Sequence, residues 1–449
     1  MPHTAFQADR DHRTQLRRVV FSSYLGTTIE FYDFLLYGTV AALVFNKLFF
    51  TSLDPLAGTI AAFGTFAVGY VARPVGGIVC GHFGDRIGRK SMLLATMSLM
   101  GVASFFIGLL PTYDQIGIWA PALLVTLRLL QGIAVGGEWG GAALMTAEHA
   151  GSGHRGLLAS FTQMGAPTGM LLSTGVLTAF STLPEDQFLS WGWRMPFLFS
   201  VVLLGVGLFV RLKVSESPLF TALKASDTVP RRPLIEVLRR HPRNLVLASS
   251  VGFGAFVAQS LLTTFVIAYA AQTGYERSTV LVSLTISSGL AVIGLPAFAA
   301  LSDRVGRRPV VLGGALAMAV AAFPIFALIN TGSPLLLTLA VVLGQSVLHA
   351  AMYGPMAALF VEMFGTRTRY TGASLGYQLA AVLGAGFAPL IAGSLLSAAG
   401  GTSTALVSLF LMASCVVSAV AAWLVRETRG QDLAPVDAAP VTNAALVRA

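Results

Sequence analysis

The sequence predicts an all-α integral membrane protein of twelve transmembrane helices, arranged as two six-helix pseudo-repeat bundles, and three observations predict it. Only 11% of the residues are charged and 55% are hydrophobic, with a mean hydropathy of +0.74, where a soluble domain carries roughly 25% charged residues. Apolar stretches of about 20 residues, the length that crosses a bilayer, recur along the whole chain. One charged loop motif occurs once in each half at a corresponding place.

The first six spans fall near 19–45, 56–80, 91–110, 119–146, 157–180 and 193–212, and the second six near 245–271, 279–301, 310–329, 334–361, 371–398 and 402–425. The first stretch carries Glu30 and Asp33 and exceeds the apolar core of a signal peptide, so it is a retained span behind a polar tail, residues 1–18. Residues 213–243, rich in Lys and Arg and containing Pro218, Pro230, Pro233 and Pro242, form a cytoplasmic linker. That linker divides an N-terminal bundle, 19–212, from a C-terminal bundle, 244–426. Residues 427–449 read as a disordered cytoplasmic tail. A β-barrel is excluded because the segments are too long and too uniformly apolar for alternating strands.

The net charge of +9 does not point to nucleic acid, since the basic residues form no stripe on a polar surface. They follow the positive-inside rule instead. With both termini inside, 24 of the 29 Lys and Arg residues fall on the cytoplasmic side. Lys47, Arg194 and Arg277 fall outside, and Arg73 and Arg128 lie within spans. An odd number of spans would scramble this. Cys80 and Cys415 each lie in an apolar run, so neither a disulfide framework nor a cysteine metal site is expected. No HExxH, P-loop or paired His and Cys spacing is present, which argues against an enzyme and leaves no cofactor implied.

The repeated motif is "GHFGDRIGRK" at 81–90 and "ALSDRVGRRP" at 300–309, each after the second span of its half. Glycines permit a tight reversal, and an acid beside several cations can bind helix ends or partner charges in one conformation. Gly81, Asp85, Arg86, Gly88 and Arg89, with Asp303, Arg304 and Arg307, are therefore expected to gate; a purely topogenic basic loop is the alternative. The second copy has Ala299 where the first has Gly81. Glu148 and Arg155 repeat with the same spacing as Glu362 and Arg369. Two repeats in one orientation place a solute site between the halves, near the midplane, opened alternately to each side.

Five charges lie inside apolar runs: Glu30, Asp33, Arg73, Arg128 and Glu138. Each costs a few kcal/mol or more at the bilayer centre, so each carries a functional expectation. Glu30, Asp33 and Tyr37 fall on one helix face by spacing. Depth suggests pairing of Glu30 with Arg128 and of Glu138 with Arg73, leaving one surplus acid to bind a proton. Asp33 is the first choice, then Glu30, then Glu138. An anionic substrate would engage Arg73 or Arg128 through the planar guanidinium fork, with Tyr37, Gln131 and, from the second half, His349 as further ligands. Mutual neutralisation of the five charges in helix packing is the alternative, and His349 could equally be a packing residue. Glycines 132, 136 and 140 let the fourth span approach a neighbour closely.

The loop motif, with "RLLQG" at 128–132 and "ESP" at 216–218, resembles the major facilitator superfamily. "EFYDFLLYG" at 30–38, "GGEWGG" at 136–141 and "WGWRMPF" at 191–197 are similar to its metabolite:proton symporter family, with Phe31 where many members have Trp. Over roughly 56–200 the likeness is to the shikimate permeases of that family. The resemblance implies proton-coupled uptake of a small organic acid, such as shikimate, by a monomer in the bacterial inner membrane, with solute, protons and lipid as its only partners. Gly165, Pro167 and Gly169 partly match an antiporter motif, which keeps proton-coupled export as the alternative.

Overall fold

The computed structural model describes residues 2–87, 89–150, 153–212, 233–364 and 369–430, and every regular element among them is helical. The first copy of the charged loop (Gly81, Asp85, Arg86, Gly88 and Arg89) lies outside the residues whose side chains are described, as do most of the linker, 213–232, and the tail, 431–449.

Twelve long helices run through the described residues. In the first half they are α1 (Pro2–Val40, continuing to Leu48), α2 (Pro55–Ile87), α3 (Arg89–Leu109), α4 (Trp119–Gly136 and Trp139–His149), α5 (Arg155–Ser181) and α6 (Met195–Leu212). In the second they are α7 (Pro242–Ser260, continuing to Gln272), α8 (Arg277–Val305), α9 (Arg307–Ile329), α10 (Pro334–Val342, continuing to Glu362), α11 (Arg369–Ala381, continuing to Ala398) and α12 (Ala405–Leu424). Ten of them are long and apolar enough to cross a membrane. The other two are α3, whose apolar part Leu94–Leu109 is shorter, and α5, which buries Ser160, Thr162, Gln163, Ser173 and Thr174. Ser160, Ser173 and Thr174 remain tolerable in a membrane helix because their hydroxyls bond back to the preceding turn, as Thr174 does to the Met170 carbonyl at 2.7 Å.

The repeat seen in the loop motif extends to helix irregularities. α1 contains a π-turn at Ala41–Phe45 and α7 one at Leu261–Phe265. α4 breaks at Gly137 and Glu138, and α10 at Gly354 and Pro355. Such irregular turns concentrate at functional sites. Within the first half α5 packs along α1 and α2 along α4; α5 also packs along α8, and α2 against α11, so these two contacts join the halves.

Small residues set the closest approach. A Cβ added at Gly132 or Gly136 of α4 would run into the carbonyl oxygens of Gly69 and Arg73 in α2. That pins the α2 backbone, and with it Arg73, against the helix that carries Arg128. Gly165 and Gly169 of α5 likewise face Thr27, Thr28 and Tyr32 of α1, so helix packing accounts for glycines that partly matched an antiporter motif.

Two sequence boundaries shift. The linker region contains a short helix, Pro233–Arg240, ahead of α7. The tail, expected to be disordered from 427, is held at its start: Glu427 accepts the backbone N–H groups of Arg307 (2.9 Å) and Arg308 (3.1 Å), and Thr428 donates to Glu362 at 2.6 Å. Glu427 thereby satisfies donors at the start of α9 that have no partner within the helix.

Candidate functional site

The buried acid of α1 is held by two neighbouring helices. Ser200 of α6 donates a short hydrogen bond to Asp33, and Ser104 of α3 also faces that carboxylate. Ser104 accepts from the Gln131 amide at 2.7 Å, and the Gln131 carbonyl accepts from Arg128 at 3.0 Å. Asp33, Ser104, Gln131 and Arg128 thus form one continuous polar chain, each member no more than 1% exposed. Both ends of the Gln131 side chain are engaged, which makes it a connector between acid and arginine rather than the free ligand expected from sequence.

Arg128 and Arg73 share an aromatic box. Both guanidinium groups lie over the Phe34 ring, at 3.6 and 4.0 Å from its centroid. Arg128 also sits over Tyr37 at 4.1 Å, and Arg73 over Tyr70 at 4.3 Å. Cation–π attraction of this kind offsets part of the cost of burying a guanidinium. It leaves hydrogen-bonding capacity unspent, because Nε and Nη2 of both arginines meet no partner. The expected pairing of Arg128 with Glu30 is therefore corrected: Arg128 bonds Gln131 and faces aromatic rings. Arg73 keeps its Nε and Nη2 donors without a hydrogen-bond partner. Tyr37 donates its hydroxyl to Thr65 at 2.7 Å, so it contributes a ring face beside Arg128.

The expected single face of Glu30, Asp33 and Tyr37 divides in three dimensions. Asp33 turns toward α3 and α6, whereas Glu30 lies within electrostatic reach of Tyr70, Tyr353 and Tyr377, toward the second half. Glu138 is buried in the break of α4. His349 ends the π-turn Leu343–His349 of α10 and stacks on Tyr353, centroids 5.0 Å apart. It lines a cavity of about 20 Å³ between the halves with Leu35, Met170, Gln259, Ser287 and Gln345, space for roughly one water molecule.

Two layers seal the site toward the end that carries Arg155. In the first, Trp139 of α4 stacks on Tyr377 of α11, Trp139 donates to Gln163 (2.9 Å), and Gln163 reaches the Tyr353 carbonyl (3.3 Å). Gln378 donates to the Gly136 carbonyl at 3.2 Å. In the second, Asp303 accepts the N–H groups of Gly156 and Leu157, both at 2.9 Å, and pairs with Arg307 at 2.5 Å. Glu362 pairs with Arg155 at 3.1 Å and with Arg307 at 3.4 Å. A carboxylate on two first-turn N–H groups of α5 is the helix-end contact expected of Asp303. Gly306, at φ +112°, makes the turn from α8 to α9 that aims Arg307 back at Asp303. Arg304 is exposed, apart from this buried network, and Ala299 is fully buried in the position where the other copy has glycine.

Sequence reasoning missed Ser104, Ser200, Gln259, Gln345, Trp139 and Tyr377. Serines and aromatic residues are ordinary in membrane helices and gave no signal. The glutamines of the apolar runs did give one, since each is a costly group in hydrocarbon.

A Major Facilitator Superfamily profile matches residues 23–374 and again 252–446. The chain is 41% identical over 420 residues to the shikimate transporter of Escherichia coli, covering 93% of this chain and 96% of that one. It is 40% identical to an inner membrane metabolite transport protein of the same organism, over 93% and 95% of the two chains. It is also 34% identical to the E. coli proline/betaine transporter, over 93% and 85%. Among solved structures, a D-xylose-proton symporter superposes with a TM-score of 0.72 at 21% identity, over 92% of this chain and 99% of that one, which speaks to fold.

Proposed function

This chain belongs to the major facilitator superfamily and is a multi-pass membrane transporter rather than an enzyme, and on that premise we propose that it takes up a small organic acid together with a proton. Shikimate or a related cyclic hydroxy acid is the first choice, in keeping with the 41% identical relative.

The observation that carries this reading is the chain from Asp33 through Ser104 and Gln131 to Arg128, beside two guanidinium groups with unspent N–H donors. A carboxylate is the natural partner for such donors, because the planar fork matches its two oxygens and the buried cations gain a counter-charge. Arg73 and Arg128 hold the anion. Asp33 carries the proton, with Glu30 as the second choice and Glu138 as a structural acid at the α4 break. When Asp33 binds a proton, its hydrogen bonds with Ser104 and Ser200 reorganise, and Gln131 passes the change to Arg128. Substrate and proton then load together, which is symport.

The sealed end is the cytoplasmic one and both termini lie there, in a bacterial inner membrane, in line with the distribution of Lys and Arg. Rocking of the residues 19–212 bundle against the 244–426 bundle breaks the Asp303, Arg307, Glu362 and Arg155 contacts and unstacks Trp139 from Tyr377. Asp85 and its loop act in the same way in the first half. The protein works as a monomer.

The test is uptake of radiolabelled organic acids into proteoliposomes with and without an imposed pH gradient. Uphill accumulation of an acid that collapses when the gradient is dissipated supports the reading. Efflux of solute against inward proton flow would replace it with antiport.

A further inference from the structure

The cavity between the halves holds two buried polar atoms that the fold itself leaves unanswered. Gln259 Oε1 of α7 and His349 Nε2 of α10 have no hydrogen-bond partner, and their residues are 7% and 5% exposed. Both line the same cavity. A buried polar atom without a partner is costly, since it gives up its bond to water and gains none, and this wall carries two on different helices. Their backbones are fixed nearby: the Gln259 carbonyl accepts from Gln345 at 3.2 Å and from Thr263 at 2.7 Å, and His349 is braced against Tyr353. The side-chain atoms are therefore held in place while unpaired.

None of the described residues that line this cavity is charged; Thr263, Ser287, Ser288 and Gln345 add neutral polar groups, and Leu35, Met170, Leu284 and Leu295 are among its apolar lining. It is suited to an apolar ring bearing neutral hydrogen-bonding groups, not to a carboxylate. An amide oxygen accepts, and an imidazole Nε2 accepts or donates by tautomer, so hydroxyl groups satisfy both. Helix α1 links this wall to the anion site: Phe34 lies under both guanidinium groups, and the next residue, Leu35, lines the cavity. Tyr353, stacked on His349, is within electrostatic reach of Arg73.

We infer that Gln259 and His349 form a hydroxyl-reading subsite, so that the solute is a ring carrying hydroxyl groups on the side opposite its carboxylate. This rests on the reading of the protein as an organic-acid transporter. The cavity measures about 20 Å³, and it widens as the halves part.

The experiment compares uptake of radiolabelled shikimate with that of cyclohex-1-ene-1-carboxylate, the same ring acid without hydroxyls, in proteoliposomes of the full chain under one pH gradient. The wild type is expected to prefer shikimate, and Gln259→Leu and His349→Phe each to reduce that preference about tenfold, the worth of one neutral hydrogen bond. His349→Gln, which restores a hydrogen-bonding atom, is expected to keep more of the preference than His349→Phe. The ratio is independent of how much protein folds and inserts. Uptake of both acids without preference, or a preference that survives both substitutions, overturns the hydroxyl subsite and leaves the organic-acid reading standing. Uptake of neither acid overturns both.

Discussion

Trp139 of α4 and Tyr377 of α11 stack face to face across the two halves, with ring centroids 3.7 Å apart and planes 12° from parallel. Phe256 meets Tyr377 edge-on at 5.0 Å, and Tyr377 shares a 2.7 Å hydrogen bond with Tyr353. The stack is a rigid aromatic floor under the site, and it exists only while the halves are together at that end.

Trp139→Ala is expected to open this floor. In a background without Cys80 and Cys415, a cysteine placed at Gln345 should then react faster with a membrane-impermeant thiol reagent added from the cytoplasmic side, by roughly tenfold if about 1–1.5 kcal/mol of stacking is lost. An unchanged labelling rate would mean that another layer seals the site.

Asp303→Asn removes the charge that accepts from Gly156 and Leu157 and pairs with Arg307. Breaking one partner of a buried, hydrogen-bonded pair costs about 3–5 kcal/mol, which biases the protein toward the state open at that end and slows turnover. Asp85→Asn is expected to act in the same direction through the first copy of the loop. Wild-type transport rates in both well-inserted variants would rule out the latch.

Asp33→Asn mimics a permanently protonated acid. It should abolish accumulation driven by a pH gradient while leaving exchange at equal pH measurable. Gln131→Leu is expected to weaken coupling as well, because it cuts the connection between Asp33 and Arg128. Accumulation against a gradient by Asp33→Asn would falsify the assignment and move the proton to Glu30.

Arg128→Lys keeps the charge but loses the fork and the ring contact, and is expected to raise KM at least tenfold. Lys47→Ala is the contrasting change. Lys47 bonds Glu185 at 2.6 Å, but the two side chains are 49% and 62% exposed, so the pair contributes about 0–1 kcal/mol. The Lys47 ammonium holds the Glu185 carboxyl below its usual range; that small contribution is present above the ordinary carboxylate pKa and fades as pH falls through the depressed one. Equal transport defects in Arg128→Lys and Lys47→Ala would show that Arg128 is no part of the site.

The sequence by itself determined the number and order of the spans, the internal repeat, and which five charges lie in the apolar runs. Those features are one-dimensional: run length answers to bilayer thickness, and charge inside a run is costly wherever the run packs. It also singled out Asp303 and Arg307 as candidate gating residues, because a loop motif repeated in both halves carries its own local chemistry. Partner choice was decided only by the tertiary structure. Depth along a helix suggested Glu30 for Arg128, yet the rotation of α1 and α4 about their own axes puts Gln131 and Phe34 there. Gln259 and His349 stand 90 positions apart in the chain; His349 was legible as a candidate ligand of the second half, whereas Gln259 was not singled out. Packing of α7 and α10 around one cavity, with no protein partner for either side-chain atom, is what makes them a site.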